Sequence, residues 1–275
     1  MTSFARTIAL LAALLTGSAA GCIAAESSAT FVEIENPLAS PHPLQGYLRR
    51  TRSAGPSPAV VLLHSCHGGW ARLDERWGKR IASWGYVVLT VDSLGPRGLK
   101  ICDGNPPIDS GEDAYRALNF LVRDPFVDPD RVAVIGFANG GRVALMSVDH
   151  GYLEQASPNK FRAAIAFYPH CLGLKGEMTA PALILIGELD DWASAKECRN
   201  MVEGRDDWGI SRQRDKGVPI RLMVFPGAHH AFDAPQLATP VQLKGHHLEF
   251  NQAAADQSSE ALRDFLDTTI GKAAQ

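Results

Sequence analysis

Arg131-Val132-Ala133-Val134-Ile135-Gly136-Phe137-Ala138-Asn139-Gly140-Gly141 decides the reading of this chain. A β-branched, apolar run leads into closely spaced glycines, and helical periodicity resumes over Gly140 to Val148. A continuous apolar run of this length suits a strand buried on both faces, as in a parallel sheet. The spacing Gly136-x-Ala138-x-Gly140 is that of the G-x-S-x-G elbow between a strand and a helix, where the central side chain is raised above the sheet. The central residue here is Ala138. A methyl group cannot attack a carbonyl carbon. Taken alone, the stretch reads equally well as a glycine-rich turn without catalytic meaning.

Outward from this stretch the same alternation repeats. Strands are expected at residues 29–35, 44–50, 59–63, 86–91, 131–137, 163–167, 182–186 and 220–225. Helices are expected at 73–84, 113–122, 140–148 and 253–270. Strands alternating with helices imply parallel pairing through crossover helices, hence an α/β fold with a mostly parallel sheet and helices on both faces. Ligands of such sheets bind beyond the carboxyl ends of the strands, so chemistry is sought just after each apolar run.

Three strand ends carry suitable groups. The elbow follows the strand ending near Ile135. Gly187-Glu188-Leu189-Asp190-Asp191 follows the one ending at Ile186, and Pro226-Gly227-Ala228-His229-His230-Ala231-Phe232 the one ending at Phe225. An acid can orient a histidine, and a histidine can act as general base. Each could equally be a turn carboxylate or a surface loop histidine. Their order, elbow then acid then histidine, is that of the α/β-hydrolases. After Leu63, the loop His64-Ser65-Cys66-His67-Gly68-Gly69 offers backbone N–H groups for an oxyanion hole. The rival reading, a metal held by His64, Cys66 and His67, lacks the usual structural zinc spacings. The doublets His229-His230 and His246-His247 do not point to a metal either, because adjacent residues seldom bind one ion together. No metal and no cofactor is expected.

VVLLHSCHGG (60–69), DSLGPRG (92–98), RVAVIGFANGG (131–141), LIGELDDW (185–192) and FPGAHHAFD (225–233) together resemble the dienelactone hydrolase family. The resemblance runs from about Pro58 to the closing helix. It implies an α/β-hydrolase fold and metal-free hydrolysis of small esters or lactones. By position, it puts the acid on Asp190, the histidine on His230, the nucleophile on Ala138, and the oxyanion donors on the backbone of Asn139 and Cys66. Ser65 departs mildly from the family's usual glycine, whereas Ala138 removes the nucleophile. An engineered inactive variant and a natural loss of hydrolysis both account for that. Three functions follow: a hydrolase scaffold needing Ser or Cys at 138, a ligand-binding pseudoenzyme, or a hydrolase using His230-activated water or a displaced Cys66 nucleophile. Arg97, Tyr168, His170, Trp192 and Phe232 are candidate substrate contacts. Arg97 suits a carboxylate through its planar fork, and Trp192 suits an aryl group.

The chain has 275 residues, 45% hydrophobic, with a formal net charge of −3. That is enough for a sizeable core, and no basic run suggests nucleic acid. Residues 1–25 read as a signal peptide: Arg6, then an apolar stretch from Ile8 to Leu15 too short to span a bilayer, then small residues. Residues 26–275 are read as one domain. Export to the periplasm or outside is expected, with lipid attachment at Cys22 the lesser alternative. Outside the cytosol, Cys66, Cys102, Cys171 and Cys198 could form disulfides, in any of the three pairings that four cysteines allow. The oligomeric state is not readable from the sequence.

Overall fold

The structure is a computed structural model. It describes residues 28–34, 44–51, 55–102, 110–205 and 216–272, so the leader region and Cys22 lie outside the described residues. The chain opens with β1 (Ala29–Ile34) and β2 (Leu44–Arg49), an antiparallel pair. β3 (Ser57–Leu63) follows, then a helical run comprising α1 (Trp70–Leu73), a π-helical turn (Asp74–Gly78) and α2 (Lys79–Ser83). Next come β4 (Val87–Asp92), α3 (Ser110–Leu121), β5 (Val127–Phe137), α4 (Asn139–Met146) and α5 (Tyr152–Ala156). β6 (Ala163–Phe167), β7 (Ala182–Gly187), α6 (Ala195–Glu203) and β8 (Ile220–Phe225) complete the main sheet. The hairpin β9 (Val241–Leu243) and β10 (His246–Leu248) precedes the closing helix α7 (Gln252–Thr269).

The eight strands lie in the order β1-β2-β4-β3-β5-β6-β7-β8, and every pair from β4 to β8 is parallel. Every residue of β3, β4, β6 and β7 is buried, and apart from Ser57, Thr90 and Asp92 these strands are apolar, which is why they read as near-continuous apolar runs. The right-handed crossover rule puts α1 and α2, which return leftward from β3 to β4, on the face opposite α3, α4 and α6. α7 lies with α2, where Arg263 sits over the Trp84 ring at 5.7 Å and the Tyr86 hydroxyl donates to Asp267 at 2.7 Å.

The winding reverses at β3, since β4 lies on one side of it and β5 on the other. Crossovers leave this point in opposite directions, opening a crevice at the carboxyl ends of β3 and β5. The elbow and the loop after Leu63 both end there.

Some boundaries differ from expectation. β5 starts at Val127 rather than Arg131, because Ser57 pairs with Val127 across a register irregularity before regular pairing resumes at Ala59 and Val132. The Asp128-Pro129-Asp130 segment therefore reads as a turn although it lies inside a strand. α6, α5 and the three-residue strands of the hairpin were not expected; the strands are too short for hydrophobic periodicity to mark them.

Gly140 lies where backbone segments nearly touch. A Cβ there would collide with the carbonyl oxygens of Leu63 and His64, whereas a Cβ on Gly55 would meet nothing. Gly140→Ala is expected to destabilise the protein by about 2–4 kcal/mol, as overpacking against rigid backbone does, and Gly55→Ala by less than about 0.5 kcal/mol. Urea unfolding of the two variants beside the parent protein checks this.

Candidate active site

At the end of β5 the chain turns through Ala138, at φ 51° and ψ −110°. This is a conformation that L-residues with a Cβ rarely adopt, and it costs about 1–3 kcal/mol. Its neighbours hold it there. The Ala138 N–H donates to Phe167 O at 3.0 Å, and its carbonyl accepts from Arg142 N at 3.0 Å. A Cβ on Gly136 would collide with the Gly140 carbonyl, so the close crossing of β5 and α4 requires glycine at 136, while the approach of α4 to the end of β3 requires it at 140. Asn139 is the first residue of α4, so its N–H has no intrahelical acceptor and faces outward at the helix start.

Asp190 and His230 come together across the ends of β7 and β8. His230 Nδ1 lies 2.8 Å from Asp190 Oδ2, with both side chains buried. The other carboxylate oxygen accepts from the backbone of Trp192 at 3.0 Å and Ala193 at 2.7 Å. One carboxylate thus ties its own turn and orients the imidazole, which leaves Nε2 as the nitrogen that Asp190 does not engage. Asp191 is exposed and accepts instead from His247 N at 3.1 Å. His229 does not join the dyad; its ring lies 4.0 Å from that of His247.

The loop after β3 is held at several points. Gly68 N donates to Ser65 O at 3.0 Å, and Cys102 N to Cys66 O at 2.9 Å. A disulfide joins Cys66 to Cys102, and a second joins Cys171 to Cys198. This pairing is one of the three that the sequence left open. The disulfide removes Cys66 as a displaced nucleophile, because its sulfur is not a free thiol. The metal reading of this loop also fails. His64 Nδ1 donates to Ser65 O at 2.6 Å and Nε2 accepts from Ser93 N at 3.1 Å, so both nitrogens are engaged. Burial pushes the His64 imidazole down, in keeping with a neutral ring. Cys66 and Asn139 line one small cavity with Leu63, Ser93, Leu94 and Val143. Its lining thus includes both residues expected to donate backbone N–H groups to an oxyanion.

The five expected substrate contacts divide. Trp192 and His170 stand beside the dyad. The Trp192 ring lies 5.3 Å from His230 and stacks on His246 at 4.7 Å. Burial, then the charge of His230, pushes the His170 imidazole down. Arg97 is a correction. Its guanidinium grips Asp113 at 2.7 and 2.9 Å, so the fork expected for a substrate carboxylate already holds a protein one. Phe232 is another. It is fully buried against Phe225, Tyr168 and Phe167, and belongs to the core. Tyr168 is buried as well, with its ring 4.7 Å from His230 and its hydroxyl donating to Asp233 at 2.8 Å. It supports the histidine from beneath.

Asp233 was not singled out from the sequence, although it closes the FPGAHHAFD stretch. Its carboxylate also accepts from Trp77 Nε1 at 2.7 Å and pairs with Arg76 at 3.0 Å. Only folding brings Arg76 and Trp77 to it.

A model of the dienelactone hydrolase family matches residues 44–270. The chain belongs to that family. The family is one of hydrolases, and the mostly parallel sheet is its α/β-hydrolase fold. The protein named "Probable 2-oxo-3-(5-oxofuran-2-ylidene)propanoate lactonase" from Bradyrhizobium sp. is 24% identical over 206 residues, which are 68% of this chain and 77% of that protein. Lipase 1 of Moraxella sp. (strain TA144) is 29% identical over 128 residues, covering 45% of this chain and 36% of the lipase. Among solved structures, a dienelactone hydrolase-like promiscuous phosphotriesterase from metagenomic libraries superposes with a TM-score of 0.65 at 21% identity, covering 89% of this chain and 99% of that one. A thermophilic esterase from Thermogutta terrifontis gives 0.64 at 19%, covering 90% and 94%. At these identities the structural likeness speaks for the fold.

The disulfides close loops of 36 and 27 residues in sequence separation. In the loop-closure model each contributes on the order of 3–4 kcal/mol through the unfolded chain. Titration with Ellman's reagent under denaturing conditions is expected to find no reactive thiol at residues 66, 102, 171 and 198. Prior reduction should expose all of them and lower the thermal midpoint.

Proposed function

We propose that this chain is an exported hydrolase scaffold of the dienelactone hydrolase type, which binds a small ester or lactone and stalls before the first covalent step. The observation that carries the reading is the buried His230–Asp190 pair at 2.8 Å, taken with a strained elbow whose central residue, Ala138, carries only a methyl group. On this reading the chain keeps an acid, a base and oxyanion donors, but no attacking atom.

With Ser or Cys at position 138, the side chain would attack the carbonyl carbon as His230 Nε2 takes its proton. The N–H groups of Asn139 and Cys66 would stabilise the oxyanion. His230 would return the proton to the leaving alkoxide, with Asp190 holding its tautomer and stabilising its charged form. Water activated by His230 would then release the acid. In the chain as it stands, the pocket meets a carbonyl group without cleaving it. That makes it a binding protein in an enzyme's shell, apart from slow attack by His230-activated water. Removal of triad members elsewhere leaves residual catalysis of about 10³–10⁴ over water. The lactonase relative supports a lactone or ester as the ligand class. Export is supported by the leader-like residues 1–25 and by two disulfides, which persist in oxidising compartments. Residues 26–275 would form the exported domain.

Ala138→Ser and Ala138→Cys should raise hydrolysis of an aryl acetate and of small lactones. The ceiling is the loss of on the order of 10⁶ in kcat seen when a triad serine is removed from a protease. Adding His230→Ala should return the rate to the parent level. Folded Ala138→Ser and Ala138→Cys proteins that hydrolyse no member of such a panel would overturn the proposal. Turnover by the unaltered chain of many per second, abolished by His230→Ala, would also overturn it in favour of direct water activation.

A further inference from the structure

The histidine loop carries a second group of side chains on its other side. β9 and β10 form a hairpin whose turn residues, Lys244 and Gly245, both have positive φ, at 53° and 88°. This hairpin lies beside the histidine loop, where His230 and Leu248 form a parallel bridge. Successive residues of an extended chain face opposite sides. His230 and Leu248 are buried, so His229, His247 and Glu249 emerge together on the other face. Each histidine doublet therefore contributes one member to this cluster. Reading the doublets as adjacent pairs hid the constellation.

The three side chains offer imidazole, imidazole and carboxylate, with all three ligand atoms within 4.8 Å of one another. His247 Nε2 lies 2.8 Å from Glu249 Oε2, and His229 Nε2 lies 3.9 Å from it. Donors around a tetrahedral zinc ion stand about 3.4 Å apart, given bonds of roughly 2.0–2.2 Å. These separations straddle that value, so small side-chain rotations suffice. His229 offers the cluster its Nε2, the nitrogen that lies towards Glu249. His247 Nδ1 lies 3.2 Å from Gln242 Nε2; turning that amide over presents its carbonyl oxygen to an Nδ1–H and leaves Nε2 as a metal donor. Such an outer partner commonly fixes the tautomer of a metal-bound histidine. All three side chains are partly exposed, so an ion can reach them from solvent.

We propose that His229, His247 and Glu249 form a zinc site that ties the histidine loop to the β9–β10 hairpin. Two imidazoles and one carboxylate suit zinc, with water completing the tetrahedron. The ion lies on the opposite side of the loop from the buried His230 ring. It braces the backbone that carries this base and takes no part in attack on a carbonyl. On binding, the proton at His247 Nε2 moves to Nδ1, and the hydrogen bond to Glu249 is replaced by coordination. The site is independent of the residue at position 138, so its test does not depend on hydrolysis.

Untagged, metal-free protein titrated with zinc chloride in a calorimeter should bind one zinc ion per chain, with a rise in the thermal midpoint. His229→Ala, His247→Ala and Glu249→Gln should each weaken binding by more than the roughly tenfold to hundredfold lost with an outer partner. His246→Ala, whose ring stacks on Trp192 outside the cluster, should bind as the parent does. For the unaltered protein, long-range proton–nitrogen spectra should show the His229 and His247 ring nitrogens shifting on zinc addition while those of His230 stay in place. Affinity should fall on acidification, because metal ligands must be unprotonated. Absence of stoichiometric zinc would overturn the proposal. So would undiminished binding in the three variants, or shifts confined to other histidines.

Discussion

The close crossing of β5 and α4 is the constraint on which the site depends. Gly136 lies against the Gly140 carbonyl, and Gly140 against the carbonyls of Leu63 and His64, so neither can carry a Cβ, and residue 138 takes a positive φ between them. The same crossing aims the first turn of α4, with its unpaired N–H groups, at the crevice beside β3. None of this requires an oxygen or sulfur on residue 138. The contacts are backbone to backbone, so the turn stays strained with alanine in it. The strain, about 1–3 kcal/mol, is offset by the burial of strands on both sides.

The dyad rests on a second arrangement built from a different set of residues. Asp233 holds Tyr168, Trp77 and Arg76 at once, and so joins the end of β6, the helical run after β3 and the histidine loop. A buried carboxylate tolerates desolvation only with partners of this kind. Tyr168, with its phenol pushed well up by burial and by Asp233, remains a proton donor to that carboxylate. Its ring supports His230, whose Nδ1 is held by Asp190 from the other direction. The imidazole is thereby constrained by packing below and by a hydrogen bond at the side, and Trp192 with His246 forms the wall beside it.

The histidine loop shows how strand parity sorts chemistry. Residue 230 faces the carboxyl edge of the sheet and residue 229 faces the hairpin, because neighbours on extended backbone point opposite ways. The catalytic geometry and the His229–His247–Glu249 cluster therefore share a backbone without sharing a pocket. The disulfides act comparably on the other walls. One pins the loop after β3 to Cys102 at the wall of the cavity, and the other pins the loop after β6 to α6.

The architecture was legible because its strands are buried on both faces. Such strands are predominantly apolar, and β3, β4, β6 and β7 announce themselves without reference to anything distant. The elbow was legible for a related reason, since glycine spacing in a strand–helix turn answers a local steric demand. Asp190 and His230 could be assigned by their places after successive strands. The sequence could not show which groups long-range contacts would engage. Arg97 reads as a free cation until folding presents Asp113, and Phe232 reads as a pocket wall until the core closes over it. The cysteine pairing, the partners of Asp233 and the joining of His229 with His247 and Glu249 all depend on distances between segments remote in the chain. A sequence specifies the face each residue shows through local periodicity, whereas what that face meets is decided when crossovers and hairpins bring separate strand ends together.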